Sequence, residues 1–262
     1  MSPRLVASDL DGTIVRSDGT ISDRTKAAIS SVEAAGVPFV MVTGRPTRWM
    51  KAVADQTGHH GIAICANGAV VYDLHAEQVL ESFLLPSTVG RDVALALREA
   101  IPGITFAVEP LCRPFAHEPA YVPRWDSADP RSTAHVDDLL SADVVKLLAR
   151  HEGLGSDELL AAAVAAVGDA VTLTHSSSDG LLEISAAGVS KATGLARLAA
   201  ERDIPAVDVV AFGDMPNDLP MLTWAGLGIA VANAHPSVLE IADEVTTSND
   251  DDGVAEVLAR WF

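Results

Sequence analysis

Cations are scarce in this sequence: 18 Lys and Arg stand against 36 Asp and Glu, a formal net charge of -18 over 262 residues. Such a surface repels nucleic acid and anionic membranes, so neither is expected as a partner and a small ligand is. Cysteine is nearly absent too. Cys65 and Cys112 cannot build a disulfide framework, and both sit in apolar runs that read as strands, which predicts two small buried thiols. No apolar run reaches the ~18 residues of a membrane span, and Met1 to Val6 shows no charged leader followed by an apolar stretch. The expected setting is the cytoplasm. Internal repeats and low-complexity tracts are also missing. What is present, 48% hydrophobic residues, describes a globular chain long enough for one large domain or two ordinary ones.

The negative field has a corollary. An anionic substrate such as a phosphate ester would be repelled unless a metal ion or local cations reverse the field where it binds.

The chain alternates short apolar runs with helical patterns, which predicts a doubly wound, Rossmann-like parallel sheet, an α/β fold. Leu5 to Ser8 reads as a buried strand ending at acidic residues. Thr13 to Val15 and Thr20 to Ser22 flank Asp18-Gly19, a hairpin-turn dipeptide. Ser22 caps a helix that Gly36 ends, and Val37 to Val42 is the next strand. Thr43-Gly44-Arg45-Pro46 turns from strand to helix, with Pro46 at the first helical position. Ile62 to Cys65, Ala69 to Tyr72 and Val79 to Leu84 follow as strands. The same grammar resumes at Ser190 and runs to the last residues. Between about Leu85 and Glu183 it changes to an α+β pattern, so the expected organisation is a core of residues 1–84 and 186–262 with a second domain, 85–185, inserted. Pro119 to Asp138 reads as an exposed loop or short helix.

Asp9 and Asp11 lie two apart at a strand end, so both carboxylates can project to one side of the sheet edge, where such a pair needs a cation. Gly12 lets the backbone turn sharply there, and Thr13 adds a donor. An Asp-Gly turn without chemistry explains the same four residues. Lys191 reads equally as a surface lysine of a first helical turn, and Asp214 as a helix cap. Taken together, Asp9, Thr43, Lys191 and Asp214 fall in order at predicted strand ends or helix starts, the places where open α/β sheets bind ligands. There Thr43 and Gly44 would hold phosphoryl oxygens, Lys191 would neutralise them, and Asp214 would complete a metal site.

The stretches Asp9-Leu10-Asp11-Gly12-Thr13, Val42-Thr43-Gly44-Arg45, Asn67-Gly68, Gly188-Val189-Ser190-Lys191, Gly213-Asp214-Met215-Pro216-Asn217-Asp218 and Asn249-Asp250-Asp251-Asp252-Gly253-Val254 carry a resemblance. The chain resembles the haloacid dehalogenase-like hydrolases, specifically the Cof-type phosphatases with the larger, class IIB α/β cap between the second and third core motifs. The resemblance implies that Asp9 attacks phosphorus to give an aspartyl-phosphate, and that Asp11 protonates the leaving alcohol and then activates water. It implies a magnesium ion held by Asp9, the main-chain carbonyl of Asp11, and Asp214, with Asn217 and Asp218 completing or orienting that shell. It also implies that Thr43, Gly44, Lys191 and Asn217 bind the phosphoryl group. Arg45 either reaches the substrate phosphate or pairs with an acidic surface; Asn67-Gly68 lines the entrance or is only a turn. Pro216 stands where many relatives have a small polar residue and is expected to start the helix.

The expected reaction is hydrolysis of a small phosphomonoester, a sugar phosphate or a nucleotide- or flavin-like phosphate, by a monomer or small homo-oligomer. A phosphosugar mutase and a non-catalytic phosphate-binding regulatory protein are the alternatives. The mutases generally carry a smaller cap, and a dead site would usually have lost Asp9 or Asp11. Cap candidates for substrate contact, each also at home in a solvated loop, are His117, Tyr121, Arg124, Trp125, Asp126 and His135.

Overall fold

Leu5–Ser8 (β1) is buried along its whole length, as a strand covered on both faces must be. The computed structural model describes residues 2–124 and 131–262, with 131–133 described by backbone alone. After β1 come Asp23–Ala34 (α1), Phe39–Val42 (β2), Met50–Thr57 (α2), Ile62–Cys65 (β3), Val70–Asp73 (β4) and Gln78–Ser82 (β5). Ser22 caps α1 by accepting the Thr25 N–H, and Gly36, at φ +75°, carries the chain out of it. Next are Ser87–Ala100 (α3), Thr105–Glu109 (β6), Phe115–His117 (β7), Arg131–Thr133 (β8), Val136–Leu139 (α4), Lys146–Arg150 (β9), Ser156–Val167 (α5), Val171–Thr174 (β10) and Leu181–Ala186 (β11). The chain ends with Lys191–Glu201 (α6), Val209–Gly213 (β12), Leu219–Trp224 (α7), Leu227–Val231 (β13), Pro236–Ile241 (α8), Glu244–Thr246 (β14) and Gly253–Leu258 (α9).

These elements form two compact units, one of Met1–Glu81 with Ser190–Phe262 and one of Ser82–Val189. The first is built on an eight-stranded sheet of order β14-β13-β12-β1-β2-β3-β4-β5. From β14 to β3 all neighbours are parallel, and β4 joins antiparallel to β3. The chain steps outward from β1 through β2 to β3, and from β12 through β13 to β14 in the other direction. The boundary between β1 and β12 is therefore a topological switch point, and a crevice opens beyond the carboxyl ends of these strands. Helix α1 packs on α9, and α6 packs on α7 and β3.

The second unit has a six-stranded sheet of order β10-β11-β9-β6-β7-β8, antiparallel except between β7 and β8. Strand alternation sends Phe106, Val108, Leu147, Ala149, Leu182 and Ile184 into a core with Val93 and Leu97 of α3 and Leu159 of α5. The opposite face carries Glu109, Lys146, Arg150 and Glu183, all buried, with Lys146 bonded to Glu183.

Three sequence expectations change. Thr13 to Val15 is not a strand: the N–H groups of Thr13, Ile14 and Val15 all converge on the Leu10 carbonyl, winding the segment into a turn. Cys112 is exposed outside any strand, whereas Cys65 is buried in β3; the apolar run around Cys112 enters its strand only at Phe115. Pro46 precedes a 3-10 turn, Thr47–Trp49, rather than starting α2 directly.

Candidate active site

Each element of the first unit delivers its chemistry at the carboxyl edge of the sheet. Asp9 is the residue after β1, and its N–H still bonds the Phe212 carbonyl of β12 at 3.0 Å. Asp214 follows β12. Gly213 is required before it, since a Cβ there would meet Asp218 Cβ at 2.5 Å. Lys191 is the first residue of α6, whose N-cap Ser190 accepts the Thr193 N–H. Gly68, at φ +101°, lets the turn after β3 sit against this helix start; a Cβ would meet the Ser190 carbonyl oxygen at 2.0 Å. The Asn67-Gly68 turn is thus a close approach of two backbones.

At the centre is a fully buried ammonium. Lys191 Nζ donates to Asp9 Oδ1 at 2.6 Å and to Asp218 Oδ1 at 2.6 Å. The second oxygen of Asp218 accepts the N–H groups of Asp214 and Met215, each at 3.0 Å. Thr13 donates its hydroxyl proton to Asp214 Oδ1 at 2.9 Å. Thr43 is buried after β2, its N–H on the Ile64 carbonyl and its hydroxyl oxygen accepting the Arg45 N–H, which fixes the turn through Gly44. Asn217 lies in the turn Pro216–Asp218, which Pro216 starts, and donates from Nδ2 to Asn67 Oδ1 at 3.0 Å. Asn67 Nδ2 and Asn217 Oδ1 are buried and without a hydrogen-bond partner.

Asp11 stands apart from this cluster. Its side chain is exposed, and Arg45 binds both oxygens, with Nε on Oδ2 at 2.8 Å and Nη2 on Oδ1. Of the two readings of Arg45, the acidic pairing is the one seen, and its partner is Asp11.

One carboxylate oxygen each from Asp9, Asp214 and Asp218 lies within 4.8 Å of the others, a set that could hold a metal ion. All-oxygen donors are the chemistry of a hard divalent cation. Electrostatics agree with that fit. Burial raises the Asp9 carboxyl well above its ordinary value, with Lys191 opposing and the neighbouring acids reinforcing. Burial, then the charge of Asp218, pushes Asp214 up to about 7. Burial alone would lower Lys191, but Asp218 and Asp9 outweigh it and the amine is raised. One lysine therefore leaves the cluster with negative charge that a cation would neutralise.

The sequence reading missed Asn233, whose Nδ2 donates to the Gly12 carbonyl at 2.8 Å; its only signal is its place just beyond a predicted strand end. In the second unit, Tyr121 is buried, and its hydroxyl is pushed up to about 12 by that burial. His117 donates to the Glu118 carbonyl, Arg124 binds Glu152 and the Asp179 carbonyl, and His135 is exposed beside Asp137. Trp125 and Asp126 lie outside the described residues. Among the described residues no helix is long and apolar enough to cross a membrane.

The chain matches the family model described as haloacid dehalogenase-like hydrolase over residues 6–258. It is 30% identical to the stress response protein YhaX of Bacillus subtilis, over the whole of this chain and 94% of that protein. It is 28% identical to the 5-amino-6-(5-phospho-D-ribitylamino)uracil phosphatase YcsE of the same organism, covering 98% of this chain and 95% of the relative. Among solved structures, a haloacid dehalogenase-like hydrolase from B. subtilis superposes with a TM-score of 0.85 at 25% identity, covering 99% of this chain and 100% of that one. The chain belongs to the haloacid dehalogenase-like hydrolases, among their Cof-type members, and is a phosphoric monoester hydrolase.

Proposed function

We propose that the chain is a magnesium-dependent phosphatase that hydrolyses a small phosphomonoester through an aspartyl-phosphate on Asp9. The observation that carries this reading is the buried cluster of Asp9, Asp214 and Asp218 around Lys191 Nζ at the switch point of the sheet. Magnesium would be held by Asp9, Asp214, the main-chain carbonyl of Asp11 and, directly or through orientation, Asp218; it would supply Lewis-acid neutralisation of the phosphoryl oxygens.

The carboxylate of Asp9 forms a bond to phosphorus as the bond from phosphorus to the leaving alkoxide breaks. Asp11 gives that alkoxide a proton, which a second group must do because the nucleophile has none to give. Asp11 then takes a proton from water, whose oxygen attacks the aspartyl-phosphate, releasing inorganic phosphate and restoring Asp9. Lys191, with Thr43, Gly44 and Asn217, stabilises the transferring group. Arg45 holds Asp11 in place before substrate enters.

The second unit, Ser82–Val189, is proposed to select the substrate. The proposed substrate is a sugar phosphate or a nucleotide- or flavin-like phosphate; the relative YcsE is named a 5-amino-6-(5-phospho-D-ribitylamino)uracil phosphatase. A cytoplasmic setting is proposed, in keeping with a sequence of only two cysteines.

The test is turnover of an aryl phosphate. Asp9→Asn should abolish it, Asp11→Asn should slow it severely with folding intact, and EDTA should stop it until magnesium is restored. Normal turnover by Asp9→Asn would overturn the mechanism. A panel of phosphate esters compared by kcat/KM then identifies the substrate.

A further inference from the structure

The stretch Asn249-Asp250-Asp251-Asp252-Gly253-Val254 has no part in the mechanism above, yet its side chains reach back 233 to 236 residues to the loop that follows Asp9. Asn249 Nδ2 donates to the Val15 carbonyl at 2.9 Å. Asp250 Oδ1 accepts the Ser17 N–H at 2.9 Å, and both its oxygens accept from the Ser17 hydroxyl. Arg16 Nη2 donates to Asp252 Oδ1 at 2.7 Å. The Asn249 N–H meets Asn233 Oδ1 at 2.9 Å, and Asn233 Nδ2 donates in turn to the Gly12 carbonyl at 2.8 Å. The segment folds back tightly to make these contacts: Asp252 is at φ +63°, and a Cβ on Gly253 would meet the Thr247 carbonyl oxygen at 2.0 Å.

The contacts answer a specific physical need. Position 12 must be glycine, at φ +80°, because a Cβ there would meet Asp214 Oδ2 at 2.3 Å. Glycine is also the residue least able to hold a peptide plane, and this one adjoins Asp11. A hydrogen bond to the Gly12 carbonyl from outside the loop supplies the constraint its missing side chain cannot, and the bond to Val15 fixes the far end of the same turn. We infer that Asn233 and Asn249 are positioning residues for the Asp9–Thr13 loop, with Asp250 and Asp252 fastening its continuation, so that residues 12–17 are a fixed wall of the site. The inference rests on the reading of Asp9 and Asp11 as the catalytic pair.

Asn233→Ala and Asp250→Ala test it, both at exposed side chains whose loss removes little packing. Steady-state kinetics on an aryl phosphate should show Asn233→Ala lowering kcat about tenfold or more, the scale of a displaced catalytic group, with KM within about twofold of wild type. Hydrogen exchange read by mass spectrometry should show faster exchange at residues 12–17 in both variants and wild-type exchange elsewhere. A lower melting temperature with kcat and the local exchange unchanged would make the contacts merely structural and overturn the proposal. If Asn233→Ala does not fold, Asp250→Ala decides by the same local exchange. A wild-type protein inactive on every phosphomonoester would remove the catalytic reading instead, and the exchange data would then decide the clamp alone.

Discussion

Arg45 meets Asp11 fork to fork, two guanidinium nitrogens on two carboxylate oxygens. Such a pair adds direction to charge: it fixes the plane of the carboxylate as well as its position. If Arg45 positions the proposed acid and base, Arg45→Ala should lower kcat about ten- to a hundredfold. Arg45→Lys should restore only part, because an ammonium is a point charge without the fork. A double-mutant cycle with Asp11→Asn checks the mechanism. Once Asp11 is gone, removing Arg45 should cost little more, since groups acting as one unit are strongly non-additive. Fully additive losses would assign Arg45 a contact of its own with the substrate.

The Asp214 carboxyl, pushed up to about 7 by burial and then by Asp218, ties stability to pH. The unfolded chain gives up this proton near the ordinary 3.8 and the folded chain near 7. Between the two the folded state binds more protons, so this site's contribution is full below about 4 and is lost as pH rises through about 7. His59, lowered mainly by its burial, acts with the opposite sign over part of that range, so the useful quantity is a difference. In EDTA, Asp214→Asn should gain melting temperature relative to wild type as pH goes from about 5 to about 7.5. Magnesium should stabilise the wild type most at the upper end, where the cation no longer competes with a proton. A difference independent of pH would contradict the shift.

Lys191 separates two buried carboxylates, and its loss leaves both without their cation. Lys191→Met should destabilise the chelated protein by about 3–5 kcal/mol, the cost of breaking a buried ion pair by removing one partner. Magnesium should recover part of that stability, because a ligand bound only to the folded state raises it. Activity should stay lost, since the transferring phosphoryl group would still miss its ammonium. Urea melts with and without magnesium, alongside turnover, separate these roles.

The sheet was legible in the sequence because parallel strands buried on both faces are nearly pure apolar runs. Leu5–Ser8 and Ile62–Cys65 start and end where the pattern places them. Asp9, Thr43, Lys191 and Asp214 each fall at a strand end or helix start, and of these the structure gathers Asp9, Lys191 and Asp214 into one cluster because the switch point brings those ends together. Pattern failed where local hydrogen bonding overrides periodicity. Thr13 to Val15 look extended but wind onto one carbonyl, because Gly12 at positive φ turns the chain there. The pairing of Arg45 with Asp11 and the reach of Asn233 to Gly12 depend on contacts 34 and 221 residues apart, which no local spacing encodes.

Gly12 gives the sharpest test of the geometry, because two independent constraints fall on one atom. An alanine there would have to hold φ near +80°, at a cost of about 1–2 kcal/mol for a residue with a Cβ. The new Cβ would also stand 2.3 Å from Asp214 Oδ2, so Asp214 must leave the oxygen cluster or the loop must unwind. Gly12→Ala should therefore lower kcat/KM by about a hundredfold or more, and weaken magnesium binding measured by calorimetry. Gly19 provides the control, since it has a similar φ of +81° but open space around the position of a Cβ. Gly19→Ala should show the same backbone cost in urea melts while keeping magnesium affinity and turnover near wild type. Equal losses of turnover in the two variants would mean that backbone strain, and not the crowding of Asp214, is what makes glycine necessary after Asp11.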